Sequence, residues 1–412
     1  MAPDLAVSAL PADAPGPPRG RTAPRAAAGA LCAIGALALS WLLWRILLDP
    51  NGVLKLYTPM YGFSLVAVLA ATVVGMSRVA EGWPLHASAL PRPVRGVLLT
   101  AAAVAVTAFV VHGFFWGFLG RFGVTYFSPR AIVAAGGVGA EFFNARENAS
   151  TAIVYVATAM LWMSVSLTAG FGAWPWSATS VGVRASSRAA VVVVLSAIAY
   201  ATLFHPHVTQ LFYPAQTFAG VPPWWAGFAR TGSAYLHLGW ILDSVAVLAC
   251  VEILWGGQRR GAPGGPGRGL LVVLGSVAAG MGLFALLLRG MTAVWGEAFQ
   301  GGQYTDAPYF RYLHAGEIAG FFVLVAYAID TWFARPRTAG QRVAATAAAI
   351  AGTVALHALY YSPIGDRLLG KVRGFAQPED TPLVWTLLVL ALVIAQRDFF
   401  AGWPLPRRAE GA

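Results

Sequence analysis

Ten apolar runs separated by short polar segments constrain this chain more than any other feature. Their approximate limits are 27–48, 58–78, 96–118, 150–171, 189–207, 234–255, 269–289, 312–333, 343–361 and 382–400. Each is near the roughly 20 residues that a helix needs to cross about 30 Å of hydrocarbon. Backbone inside a bilayer must satisfy its own hydrogen bonds, so such runs fold as helices. Composition points the same way. Hydrophobic residues make up 58% of the 412 and charged residues 11%, with a mean hydropathy of +0.64, whereas about a quarter of a soluble domain is charged. A water-soluble enzyme, a disordered chain and a disulfide scaffold are excluded. The expected fold is all-α, a polytopic membrane helical bundle of about ten transmembrane helices. The two cysteines, Cys32 and Cys250, fall in apolar runs and offer neither a disulfide framework nor a Cys-based metal site.

Residues 1–26 are rich in Ala, Pro and charge, and without apolar periodicity they are expected to be a disordered cytoplasmic tail. The first run is longer than a signal-peptide core and is followed by no small-residue cleavage site, so it is expected to stay as a helix. Residues 257–268, within GGQRRGAPGGPGRG, read as a flexible cytoplasmic loop. The loop parts six helices (27–256) from the last four and a short tail (269–412), without making separate folding domains. The loops on the other face are longer. Residues 119–149 include AIVAAGGVGA, and 208–233 include Pro222-Pro223-Trp224-Trp225. Both are too short to span and are expected to lie at the interface or re-enter as covers for a site.

Arginine sets the orientation. With the N-terminus inside, 17 of the 28 basic residues fall in the inner segments, while the acids divide 7 inside and 10 outside. The positive-inside rule then puts both termini in the cytoplasm of a cell (inner) membrane. The net charge of +11 is spread through these loops and is no nucleic-acid signature. The even-numbered helices end on similar punctuation: Gly82-Trp83-Pro84, Trp174-Pro175-Trp176, Trp255-Gly256-Gly257, Trp332 with Pro336, and Gly402-Trp403-Pro404. An interfacial tryptophan belt explains this, and so do five imperfect helical-hairpin repeats.

The histidines carry the functional expectation. His112, His205, His207, His237, His314 and His357 all fall at extracytoplasmic helix ends in this topology, from five different helices. His314 and Glu317 are three residues apart and share a helix face. Asp243 lies six residues beyond His237, about 9 Å deeper and roughly 120° around the helix. Glu141, Asn144 and Glu147 would share a face if their segment is helical, and Asp49 ends the first helix. Neutral imidazole binds copper, zinc and iron, and carboxylates serve as harder ligands or orient the ring. His205-Pro206-His207 puts two imidazoles on one short turn, and two facing histidines can ligate haem b.

The expectation is therefore a metal site built from the six histidines, with Glu317 and Asp243 as ligands, orienting groups or proton carriers. The function would be a copper- or iron-dependent membrane oxidoreductase acting on a lipophilic substrate such as a quinone or hydrocarbon. Two alternatives stand beside it: a proton-coupled transporter of a small solute, and a non-catalytic subunit with a membrane or extracytoplasmic partner. Histidines at a bilayer boundary can also be purely interfacial, with the ring in lipid and the nitrogens in water. Glu252 and Asp330, near inner helix ends, are expected to pair with nearby arginines. Gly113-x-x-x-Gly117 and Gly316-x-x-x-Gly320 permit close helix contact. No P-loop, G-x-S-x-G, H-E-x-x-H or C-x-x-C-H motif is present, so any chemistry takes place in or on the membrane.

Overall fold

The computed structural model describes residues 22–49, 52–56, 59–85, 88–121, 125–136, 141–172, 174–205, 232–255, 265–295, 310–333, 336, 338–360, 362–369 and 380–405. Among them there are helices and no strand. The ten long helices are α1 (Thr22–Leu43), α2 (Pro59–Val74), α3 (Arg92–Ala108), α4 (Phe142–Ser166), α5 (Val181–Ala199), α6 (Gly232–Ala249), α7 (Pro266–Trp295), α8 (Phe310–Trp332), α9 (Ala339–Tyr360) and α10 (Asp380–Ile394). Seven continue for a turn or more with π-type hydrogen bonding. Among the described residues nine helices are long and apolar enough to cross a membrane. The tenth, α10 with its extension to Phe399, occupies the last expected span. The protein is a multi-pass membrane helical bundle. α1 starts at Thr22, inside the segment read as a tail. The 257–264 part of the glycine-rich loop, residues 208–231 and most of the N-terminal tail lie outside the described residues.

The helices divide into two shells. Between 61% and 78% of the span is buried in α2, α4, α6 and α8, against 17% to 28% in the odd-numbered helices. α10 belongs to the buried set, with Leu383, Val384, Leu388, Val389 and Ile394 in the core. The even helices pack in a closed ring, α2 on α4, α4 on α6, α6 on α8, α8 on α10 and α10 on α2. Small residues make this possible: α4 buries Ala145, Ala149, Ser150, Ala152 and Ala157. The outer helices turn large apolar faces outward, such as Leu31, Val97, Val194, Leu271 and Ile350. Lipid solvates these faces as well as protein would.

The outer shell follows one rule. Each outer helix packs on the even helix before it, with α1 closing the circle on α10. The end of the bundle that carries Arg78, Arg188 and Arg397 is called the arginine end here. At that end each outer helix also reaches the even helix one place further round. Gly29 of α1 lies against the Trp332 carbonyl, Gly96 of α3 against the Phe400 ring, and Gly269 of α7 against Phe171. Arg184 and Arg188 of α5 hold Glu81. Thr346 of α9 accepts a hydrogen bond from Trp255 Nε1 at 3.1 Å. The tryptophan punctuation thus marks a packing position that recurs five times. Trp83, Trp174, Trp255 and Trp403 are exposed there, as in a belt, whereas Trp332 is buried and donates to Gln396 Oε1 at 2.7 Å.

Two expectations are refined. The apolar stretch after Pro129 is a short helix, Pro129–Ala135, capped by Ser128. Its Ile132 is buried against Ala145 and Ala149 of α4. Gly316 and Gly320 do seat neighbouring helices, against Leu242 of α6 and Leu383 of α10. Gly113 and Gly117 meet only atoms of their own helix.

Candidate functional site

The end opposite the arginines holds the described histidines, and they do not gather in one place. His112 is exposed on the π-helical part after α3, with Nε2 at 3.3 Å from the Tyr61 hydroxyl and its ring edge-on to Trp116. His205 ends the π-type turn after α5, with its ring near those of Tyr126 and Tyr200. His237, buried on α6, accepts a hydrogen bond from Trp240 Nε1 at its Nδ1, 3.0 Å away. His207 lies outside the described residues. Among the described residues no group of three or more His, Cys, Asp or Glu side chains is placed to hold a metal ion. Helix depth put these histidines at one level. The azimuth of each helix then turned their rings toward different neighbours.

One acid–base group does assemble. His314 Nδ1 and Glu317 Oε2 are 3.1 Å apart, and both residues are buried on α8. The i,i+3 spacing stacks the two side chains on one face. Gly316, between them, sits so close to Leu242 of α6 that a Cβ would come within 2.7 Å of its side chain. That contact fixes the rotation of α8. His357 of α9 lies within electrostatic reach of His314, and its ring is edge-on to Phe321 of α8 at 6.4 Å. Phe321 also packs with Tyr360, Leu356 and Trp385. These last three line a cavity of about 400 Å³ together with Leu37, Trp41 and Leu368, within the range of roughly 300–1,000 Å³ that small-molecule sites occupy. The walls are apolar, so the cavity suits a hydrocarbon better than a polar solute.

Asp243 is separate from that group. It is fully buried near the middle of α6, and among the described residues neither carboxyl oxygen has a hydrogen-bond partner. Glu147 instead accepts the backbone N–H of Met60 at 2.7 Å and caps α2. Asn144 donates to Glu141 at 3.0 Å, so these two share one face at the start of α4. That bond holds the Glu141 carboxyl below its ordinary range. Asp49 pairs with Arg45.

The expected pairing of Glu252 and Asp330 with arginines is present, and it converges. Arg78 of the α2 extension binds Glu252, and Arg397 of the α10 extension binds Asp330 at 2.8 Å. Both guanidiniums lie 5.4 Å from the ring of Tyr327, on α8. Four of the five ring helices are thus joined at the arginine end. Tyr327, Phe321 and Trp385 had no mark in the sequence. Each is an aromatic in an apolar run, and only the ring packing shows what it touches. The chain matches no protein-family model, no curated protein and no solved structure.

Proposed function

We propose that the protein is a multi-pass membrane enzyme that transfers protons to or from a lipophilic molecule at the histidine end of the bundle. His314 and Glu317 are its acid–base pair. The buried pair itself carries the reading: a carboxylate on one ring nitrogen fixes the tautomer and orientation of the imidazole, so the other nitrogen exchanges the proton. His357, within electrostatic reach of His314, packs on Phe321, and Phe321 packs on Tyr360 in the wall of the apolar cavity, which supplies the substrate class. The arginine density of the opposite end supports a cytoplasmic placement for it, which leaves the acid–base pair on the extracytoplasmic side.

The experiment uses the full chain in lipid nanodiscs, incubated in deuterated water with a lipid extract of its own source membrane. Mass spectrometry then follows every lipid component. The expected result is conversion of, or deuterium uptake into, one component, lowered on the order of 10²–10⁴-fold in Glu317→Gln and His314→Gln. Native protein that leaves every component unchanged overturns the reading. Elemental analysis of the same preparation tests the metal-dependent form. Copper or iron near one per chain, lost in His314→Gln, would support the metal-dependent oxidoreductase, whereas zinc, which has no redox change, would act as a Lewis acid beside the pair.

A further inference from the structure

Asp243 raises a question that the acid–base pair does not answer. It stands in the middle of α6, with Leu242 on one side in the sequence and Ser244 on the other. Gly316 of α8 packs on Leu242 and Gly280 of α7 on Ser244. Residues 242 and 244 lie about 100° to either side of Asp243 around the helix. Gly239, one turn earlier on the same face, lies against both Phe284 of α7 and the Tyr312 carbonyl of α8, so the carboxyl is directed into the seam where α7 and α8 meet α6. The approach of α7 is very close. A Cβ on Gly280 would fall 2.6 Å from the Ser244 backbone nitrogen. The Ser244 hydroxyl is already committed to the Trp240 carbonyl at 2.8 Å.

Among the described residues no charge balances this acid. Between Arg268 and Arg289, near its two ends, α7 carries no titratable side chain. On α8 the nearest titratable groups are Tyr312, His314 and Glu317, and the last two are engaged with each other. On α6 Tyr235 and His237 lie eight and six residues before it, and on the extension of α6 Cys250 and Glu252 lie seven and nine after it. α4 carries Arg146 and Glu147 at its start and Tyr155 further along, and the extension of α5, Tyr200–Phe204, which also packs on α6, adds Tyr200. A carboxylate moved from water into such a place costs several kcal/mol unless a cation answers it. A hard metal cation needs about six oxygen ligands, and among the described residues the carboxyl has no polar partner to help supply them. A proton needs only the carboxyl itself.

We propose that Asp243 is a proton-binding site in the membrane interior, loaded while α7 is packed on α6 and discharged when the two helices part. Ionisation requires water or a counter-charge at the carboxyl, and Asp243 is fully buried where α7 packs on α6. The charge of Asp243 and the α6–α7 packing are linked for that reason. The site is independent of the His314–Glu317 pair and would stand if that reading failed. It gives the bundle the device that a proton-coupled membrane protein needs, an acid whose protonation is tied to a helix movement.

Infrared spectroscopy of the full chain in nanodiscs tests this. A carboxylic-acid carbonyl band is expected at neutral pH, shifted in deuterated water while the protein stays folded, and lost in Asp243→Asn. Asp243→Glu should move the band rather than abolish it, which guards against a failure of the first variant to fold. Raising the pH should lower the thermal midpoint of native protein relative to Asp243→Asn, since the asparagine cannot acquire charge. Three results would overturn the proposal. One is the absence of any band change in both variants. Another is a band that never exchanges in the folded state, which marks a sealed structural acid. The third is stabilisation of native protein by sodium ions in place of acid, which assigns a metal cation.

Discussion

Glu81 shows how a single residue can hold two helices together. Its φ of 53° is in the left-handed region, which costs a residue with a Cβ about 1–2 kcal/mol. The carboxylate takes Arg184 at 2.8 Å and Arg188 at 2.7 Å, so one residue beyond α2 fastens α5. Burial would raise its pKa, but the two guanidiniums outweigh burial and hold it below the ordinary value of 4.5. A depressed acid contributes stability above its free pKa and loses it as the pH falls through the folded value. Thermal unfolding should therefore show native protein ahead of Glu81→Gln at neutral pH, with the gap closing below about pH 4.5. Parallel curves across that range would count against the ion triad. At this scale the sequence was partly legible. The His314–Glu317 spacing implied a shared face, because three residues along a helix define a direction. His112, His205 and His237 shared only a depth, and depth does not bring side chains together.

Among the elements, the turns that close α2 and α10 are the same. The Ala80 N–H reaches the Gly75 carbonyl at 2.9 Å and the Phe400 N–H reaches Ala395 at 3.0 Å. Gly82 and Gly402 then adopt φ of 75° and 76°, each after a residue with a side chain in the left-handed region, Glu81 or Ala401. Unlike Glu81, Ala401 has no polar side chain to offset its backbone conformation, and only its carbonyl is held, by Arg92 at 3.3 Å. Ala401→Gly should raise stability by up to about 1 kcal/mol, read as a higher denaturation midpoint in detergent. A drop would mean that the methyl group packs more than its surroundings suggest. The Gly-Trp-Pro spelling made this pair recognisable in the sequence. The members at Trp255 and Trp332 have lost the spelling and keep only the packing position.

For the whole molecule, the order of the rings matters more than the order of the chain. α1 packs on α8 and α10, and α10 packs on α2, so the first and last helices of the chain are neighbours. The loop between α6 and α7 interrupts neither the inner ring nor the outer shell. A protease site placed at 257–264 should accordingly yield two fragments that remain together through detergent purification and melt as one unit. Fragments that part on size-exclusion chromatography would show two domains instead. The ionic cluster on Tyr327 belongs to this scale too. Arg78, Glu252, Asp330 and Arg397 come from four helices that the chain visits far apart.

The sequence by itself determined that this chain crosses a membrane about ten times, because an apolar run of some 20 residues has few other places to go. It also determined which helix ends carry arginine and which carry histidine, since depth follows from position along a helix. It did not determine which spans face lipid and which face protein. All ten runs are apolar, and hydrocarbon outside is as acceptable to leucine as leucine inside. Only the packing of small residues, Gly280 on Ser244 and Gly316 on Leu242 among them, set the rotation of each helix. That rotation buried Asp243 in a seam, turned the His314–Glu317 face into the protein, and left His112 and His205 among aromatic rings.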